Sequence, residues 1–226
     1  MQSTVAEKAP ARRTQEERRA AMRERLIEAA LAVLRDEGYA SASVSRIVER
    51  AGVSRGAYLH HFPAKDLLLQ EVGDRVLRRI YRFAGKVALG SGRKEERLSN
   101  LIWYIWNDVV RGPEGEVLLE LFQAARTDQA LAETLRPMAI RSMQLFQHAA
   151  EYYFEPATPT SPPVSHLIFL VQSALSGLLI EAPFVREESF FQSRVQALID
   201  LMGAGVVPRD VDGPPPKIAA WDQHDS

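Results

Sequence analysis

Between Ser43 and Lys65 the chain reads SVSRIVERAGVSRGAYLHHFPAK, and this stretch constrains the fold more than any other. Val44, Ile47 and Val48 share helical spacing, and Ser43 stands where an N-cap belongs. Ala51-Gly52-Val53 then forces a tight turn, because glycine tolerates a backbone that other residues resist. Ser54 caps a second short helix that ends near His61, where Phe62 and Pro63 break it. Pro63 suits the first turn of the helix that follows. The spacing therefore predicts two short helices joined by a glycine turn.

A longer helix is predicted before the pair, from about Gln15 to Glu37. Ile27, Ala30, Leu31 and Leu34 form its apolar stripe, and Gly38 follows as a left-handed cap. Three helices in this order make a helix-turn-helix unit, whose last helix enters a DNA major groove. The composition fits that use. Ser54 can cap or hold a phosphate, and Arg55 can reach a guanine edge or a phosphate. Gly56 and Ala57 allow close backbone approach, while Tyr58 and His60 offer flat rings with polar tips. Ser43, and Lys65 at the start of the next helix, complete the candidate DNA-binding set. A metal or catalytic site on His60 and His61 is the competing reading. It fails because adjacent helical residues point about 100° apart and no ligand set lies at matching spacing. His61 is expected to pack beneath the helix while His60 faces DNA.

Charge agrees with this placement. Residues 1–65 hold 12 Lys+Arg against 8 Asp+Glu, whereas the remainder holds 16 against 21. A basic end joined to an acidic body suits a nucleic-acid partner, although a solvated helix face gives the same asymmetry. Residues 1–14 are expected to be a disordered basic arm. Its Arg12-Arg13 pair and the nearby Arg18-Arg19 fit a solvated run and a backbone or minor-groove contact equally. The chain has no cysteine, which removes disulfides and thiolate sites. No membrane span is expected, since no run of eighteen apolar residues occurs, and the polar N-terminus is not a secretory signal. A cytoplasmic protein without metal or cofactor is the expectation.

The rest of the chain repeats helical spacing with no alternating strand pattern, so the fold class is all-α. A fourth helix carries Leu67, Leu68, Val72, Val76, Leu77 and Ile80 towards residues 85–92. LSNLIWYIWNDVV is apolar nearly all round and belongs inside a bundle. Further helices are predicted over about 116–126, 129–154 with Pro137 inside, 164–182 and 187–203. PATPTSPP links the last pair to the bundle. Residues 205–226 are expected to be a disordered tail. Trp103, Trp106, Phe122, Met138, Met143 and Phe146 are core by default. The functional alternative is an apolar ligand cavity, with Arg126, Gln144 and His148 as polar groups.

The stretch RLIEAALAVLRDEGYASASVSRIVERAGVSRGAYLHHFPAKDLL resembles the DNA-binding domain of TetR (tetracycline-repressor-like) transcriptional regulators. The matching elements are IEAA, EGY, S-V-x-x-I-V, AGVS and HHFPAKDLL. The family pattern places an apolar residue and then a tyrosine before HHF. Here the order is Tyr58-Leu59, so the phosphate contact from position 59 passes to Tyr58 or His60, or is lost. The resemblance implies a DNA-binding domain over 15–65. A linking helix then leads into a ligand-binding and dimerisation domain over 66–204. It also implies a homodimer through the last two helices, about 164–203. The function implied is that of a repressor released from a near-palindromic operator by a small apolar or amphipathic effector. A helical enzyme or ligand-binding protein with an incidental basic end is the alternative, but no phosphate-cradling glycine loop or histidine–carboxylate pairing supports catalysis.

Overall fold

The computed structural model describes residues 14–90 and 92–216. The helices are α1 (Gln15–Glu37), α2 (Val44–Ala51), α3 (Arg55–His61), α4 (Lys65–Gly90), α5 (Arg97–Tyr104), α6 (Pro113–Ala125), α7 (Gln129–Tyr153), α8 (Val164–Glu181) and α9 (Glu188–Gly203). Two short strands, β1 (Phe154–Pro156) and β2 (Val206–Pro208), pair antiparallel with Glu155 opposite Val207. The all-α class holds, with this small sheet as the departure from it.

Local chemistry fixes the helix ends. Thr14 and Glu17 form a reciprocal capping box, at 2.8 and 3.1 Å, that satisfies two free N–H groups of α1. The Ser43 and Ser54 hydroxyls accept from the N–H groups of Arg46 and Ala57, as their positions predict. Asp128 caps α7 in the same way. α6 begins at Pro113, earlier than the apolar periodicity indicates, because proline is well suited to a first helical turn. Pro63 lies outside α4, two residues before Lys65.

Two apolar clusters hold the chain together. The first joins α1, α2, α3 and the start of α4 to Val117, Leu118 and Leu121 of α6 and Leu131, Leu135 and Met138 of α7. The helix-turn-helix unit therefore shares its core with the bundle behind it. The second joins Ala88 at the end of α4 to α5, the end of α7, α8, α9 and Val206. Within it, Leu98, Ile102, Trp106 and Val110 point inward at intervals of four, the last two on a π-helical extension of α5 over Ile105–Val110. α4 and α7 run through both clusters. Between them lies the buried carboxylate of Asp74, paired with Arg141 at 3.1 Å.

The expected disordered tail is corrected over residues 205–216. Val206 is buried, β2 pairs with β1, and the Arg97 guanidinium donates to the carbonyls of Arg209 (2.6 Å) and Val211 (3.3 Å). A sequence without periodicity is ordered here by backbone hydrogen bonds to a distant arginine. Residues 217–226, and the arm up to residue 13, lie outside the described residues.

Candidate nucleic-acid interface and apolar cavity

α3 is set by the turn before it. Gly52 adopts φ 60°, ψ 43°, the left-handed region where glycine has no Cβ penalty. Its N–H donates to the Glu49 carbonyl, and the Val53 N–H reaches back to Val48 at 3.1 Å. This double bond closes α2 and aims α3 away from it. From α1, Arg25 donates to the Gly52 carbonyl at 3.3 Å and pins the turn.

The outer face of the unit is sorted by charge. On α2, Arg46 is paired with Glu37 and Glu49, and Arg50 with Asp36 and Glu37. Asp36 and Glu37 hold the α2 cations against the end of α1. Hydrogen bonding to Arg35 and Arg50 keeps the Asp36 carboxyl below its ordinary range, and Arg46 does the same for Glu37. α3 carries no carboxylate, and Ser54, Arg55, Gly56 and His60 are all exposed on it. Arg55 has no ion-pair partner among the described residues. Its cationic head and the exposed helix N-terminus are the groups that an anionic backbone would meet. Lys65 lies 4.4 Å over the Tyr39 ring, which orients it at the start of α4.

The second site is a cavity of about 590 Å³ lined by α4, α5, α7, α8 and Pro214–Pro216 and open on one side. Its walls are largely apolar, among them Ile102, Leu145, Phe146 and Val171. Tyr81 meets Phe146 edge-on at 5.9 Å. Tyr153 also lines the cavity, and its buried hydroxyl has no hydrogen-bond partner among the described residues. Burial pushes the Tyr153 phenol up to about 12.

Residues 26–72 match the DNA-binding domain described as bacterial regulatory proteins, tetR family. Over 197 residues the chain is 30% identical to an uncharacterized helix-turn-helix transcriptional regulator of Mycobacterium tuberculosis, covering 86% of this chain and 99% of that one. The chain belongs to the TetR family. It is a helix-turn-helix transcriptional regulator. A TetR-family regulator from Cytophaga hutchinsonii shares the fold with a TM-score of 0.64 at 17% identity, over 88% of this chain and 100% of that one. A regulator from Saccharomonospora viridis, solved in complex with choline, gives 0.57 at 20% identity, over 84% and 100%.

The TetR unit of this chain departs from the sequence reading at one DNA-facing residue. Tyr58 is 1% exposed and packs 6.3 Å from Phe62, so it is a core residue, while Leu59 beside it is 51% exposed. The reversed order Tyr58-Leu59 thus turns the tyrosine inward, and His60 is the ring left on the surface. The spacing carried that signal: Tyr58 lies one turn before Phe62, which is buried. His61 is half-buried, edge-on to His60 at 5.4 Å. Its pKa is lowered, first by desolvation and then by His60, Arg19 and Arg23. Ser43 and Ser54 spend their side chains on capping.

The ligand candidates fare differently. Of the nine, Phe146 lines the cavity. Trp106 stacks on Phe191 at 5.6 Å and Trp103 packs against the same cluster. Met138 belongs to the first core. Phe122, Arg126 and Met143 face outward, as does Gln144. His148 contacts the Pro216 carbonyl at 3.1 Å and so holds the cavity's proline wall from outside. Sequence reasoning missed Tyr81, Tyr153 and the proline wall. On α4 the interval of four from Tyr81 to Gly85 and Leu89 was the available signal.

Proposed function

We propose that the chain is an effector-controlled repressor that binds a near-palindromic operator as a homodimer. The observation that carries this reading is α4. It begins with Lys65, four residues after the end of α3, and lines the apolar cavity from Arg75 to Leu89. One helix of 26 residues, roughly 39 Å long, thus joins the helix-turn-helix unit to the cavity. A second link runs through Tyr39. Its N–H donates to Glu120 of α6 at 2.7 Å and its hydroxyl to Asp128 at 3.3 Å. A ligand that binds better to the arrangement with misplaced α3 helices shifts the population off DNA.

The dimer is supported by α8 and α9. Leu170, Ile180 and Leu201 are exposed there, and exposed Gly177 has open space where a Cβ would stand, which permits close helix approach. α8 is long and apolar enough to cross a membrane by length and composition. Its outward apolar residues suit a twofold interface instead, since α9 presents an apolar face beside it. Functionally we divide the chain into a DNA-binding part over 15–65 and an effector and dimer part over 66–204. We assign it a cytoplasmic location, no enzymatic role, no cofactor and no metal.

The test is selection of random duplex DNA on the purified protein, followed by titration of the enriched sequence and a scrambled one at two salt concentrations. The reading expects a palindromic winner bound about a thousandfold tighter than scrambled DNA. Equal affinity for both, with a salt slope alone, would leave only a basic patch and overturn it.

A further inference from the structure

The cavity has a sign as well as a shape. Arg75, Arg78, Arg82 and Lys86 all contribute to its lining, and among the described residues no aspartate or glutamate does. These cations recur along one side of α4 at helical spacing. Two of them are already engaged. Arg75 pairs with Glu24 and Glu28 of α1, and Arg78 lies 3.5 Å from Glu71. Arg82 and Lys86, one turn apart, have no carboxylate partner among the described residues; Lys86 rests 5.0 Å over the Phe83 ring. Arg82 and Lys86 are exposed at the edge of this mostly apolar chamber, and they favour an anion over a cation by Coulomb attraction that solvent partly screens. Tyr153 adds an independent pointer. It is 3% exposed, its hydroxyl has no partner among the described residues, and a Cβ on cavity-lining Gly85 would stand 3.7 Å from that hydroxyl. A buried phenol without an acceptor is costly, and an anionic oxygen is the acceptor that best relieves it.

We infer that the effector is an amphiphilic anion, an apolar body with a carboxylate-like head held by Arg82, Lys86 and Tyr153. This rests on the reading of the cavity as the effector site. At about 590 Å³ the chamber lies within the range of small-molecule sites. Pro214–Pro216 covers the apolar body and is held by His148, so the ligand is enclosed by a wall the preceding arginine contacts keep in place. The quaternary ammonium of choline is the wrong sign for this wall.

The experiment uses the full chain and a neutral reporter, N-phenyl-1-naphthylamine, whose fluorescence rises in an apolar site. Dodecanoate, dodecanol and dodecyltrimethylammonium then compete with it below their micellar concentrations. Dodecanoate is expected to displace the dye at least about tenfold better than dodecanol, the scale of one charge-assisted hydrogen bond. The trimethylammonium compound should compete worst. In the surface double variant Arg82→Gln/Lys86→Gln, dodecanoate should fall to the level of dodecanol, whose own displacement stays unchanged. Equal competition by all three, or preference for the cation, overturns the anionic assignment while the cavity stands. Preference for dodecanoate that survives the double variant overturns the role of Arg82 and Lys86. A dye that does not bind removes the cavity as an effector site, and this inference with it.

Discussion

The DNA-facing helix and the cavity are built in opposite ways. α3 takes its surface from consecutive residues, Ser54 to His61, and its aim from one adjacent turn at Gly52. The cavity takes its surface from residues as far apart as Arg75 and Pro216, on α4, α5, α7, α8 and the C-terminal segment. The first is a local device that needs only a support behind it. The second is a space left between helices, and it exists only once they have packed. α4 belongs to both, so a change at the joint should damage both, while a change at either end should damage one.

The largest effect is expected at that joint. Arg141→Ala leaves the Asp74 carboxylate buried without its partner and should cost about 3–5 kcal/mol of unfolding free energy, measured by urea titration. Burial holds the Asp74 pKa above its ordinary value, against the opposing pull of Arg141. The folded state therefore keeps this proton more readily than the unfolded chain. The stability contributed by Asp74 is fully present below the ordinary carboxylate pKa and is lost as pH rises through the raised folded value. The deficit of Arg141→Ala should accordingly shrink as the medium is acidified through that window. A deficit independent of pH would show that Asp74 is not the group left stranded.

Changes at the DNA end come next. Arg55→Ala should weaken operator binding by about 1–3 kcal/mol in an anisotropy titration and leave dye binding in the cavity untouched. Gly52→Ala places a Cβ at positive φ, 3.0 Å from the Arg25 guanidinium, and should lower stability by about 1–2 kcal/mol in thermal melts. Loss of dye binding in Arg55→Ala would mean that the two regions are less separable than their construction implies.

The smallest effect sharpens the assignment of the recognition helix. Tyr58→Phe removes a buried hydroxyl that has no partner among the described residues, so stability should stay within about 1 kcal/mol of the parent or rise. Operator affinity should not change. A clear loss of affinity would return Tyr58 to the interface and contradict its burial.

The same contrast explains what was legible beforehand. The helix spans could be read because caps and periodicity are local: Thr14 with Glu17, Ser43, Ser54 and Asp128 each act within three residues. The exposed positions of Arg55 and His60 on α3 could be read for the same reason. Tyr58 was misplaced because its aromatic character suggested contact, while its interval of four from Phe62 pointed to the core. Trp106 and Met138 were candidates for the cavity by type, yet a helix carries apolar residues of one kind towards core and cavity alike. Which of them meets empty space depends on where the neighbouring helices stop. The C-terminal segment was misread because its order comes from Arg97, more than a hundred residues away, rather than from any period of its own.

The sequence by itself determined the helices, their ends, the glycine turn and the cation on the recognition helix, because short-range hydrogen bonds and steric limits act between near neighbours. Only the tertiary structure decided which aromatic faced inward, where the cavity opened and that one wall of it is cationic. Those outcomes are set by packing and Coulomb interactions between residues that meet only after the chain has folded.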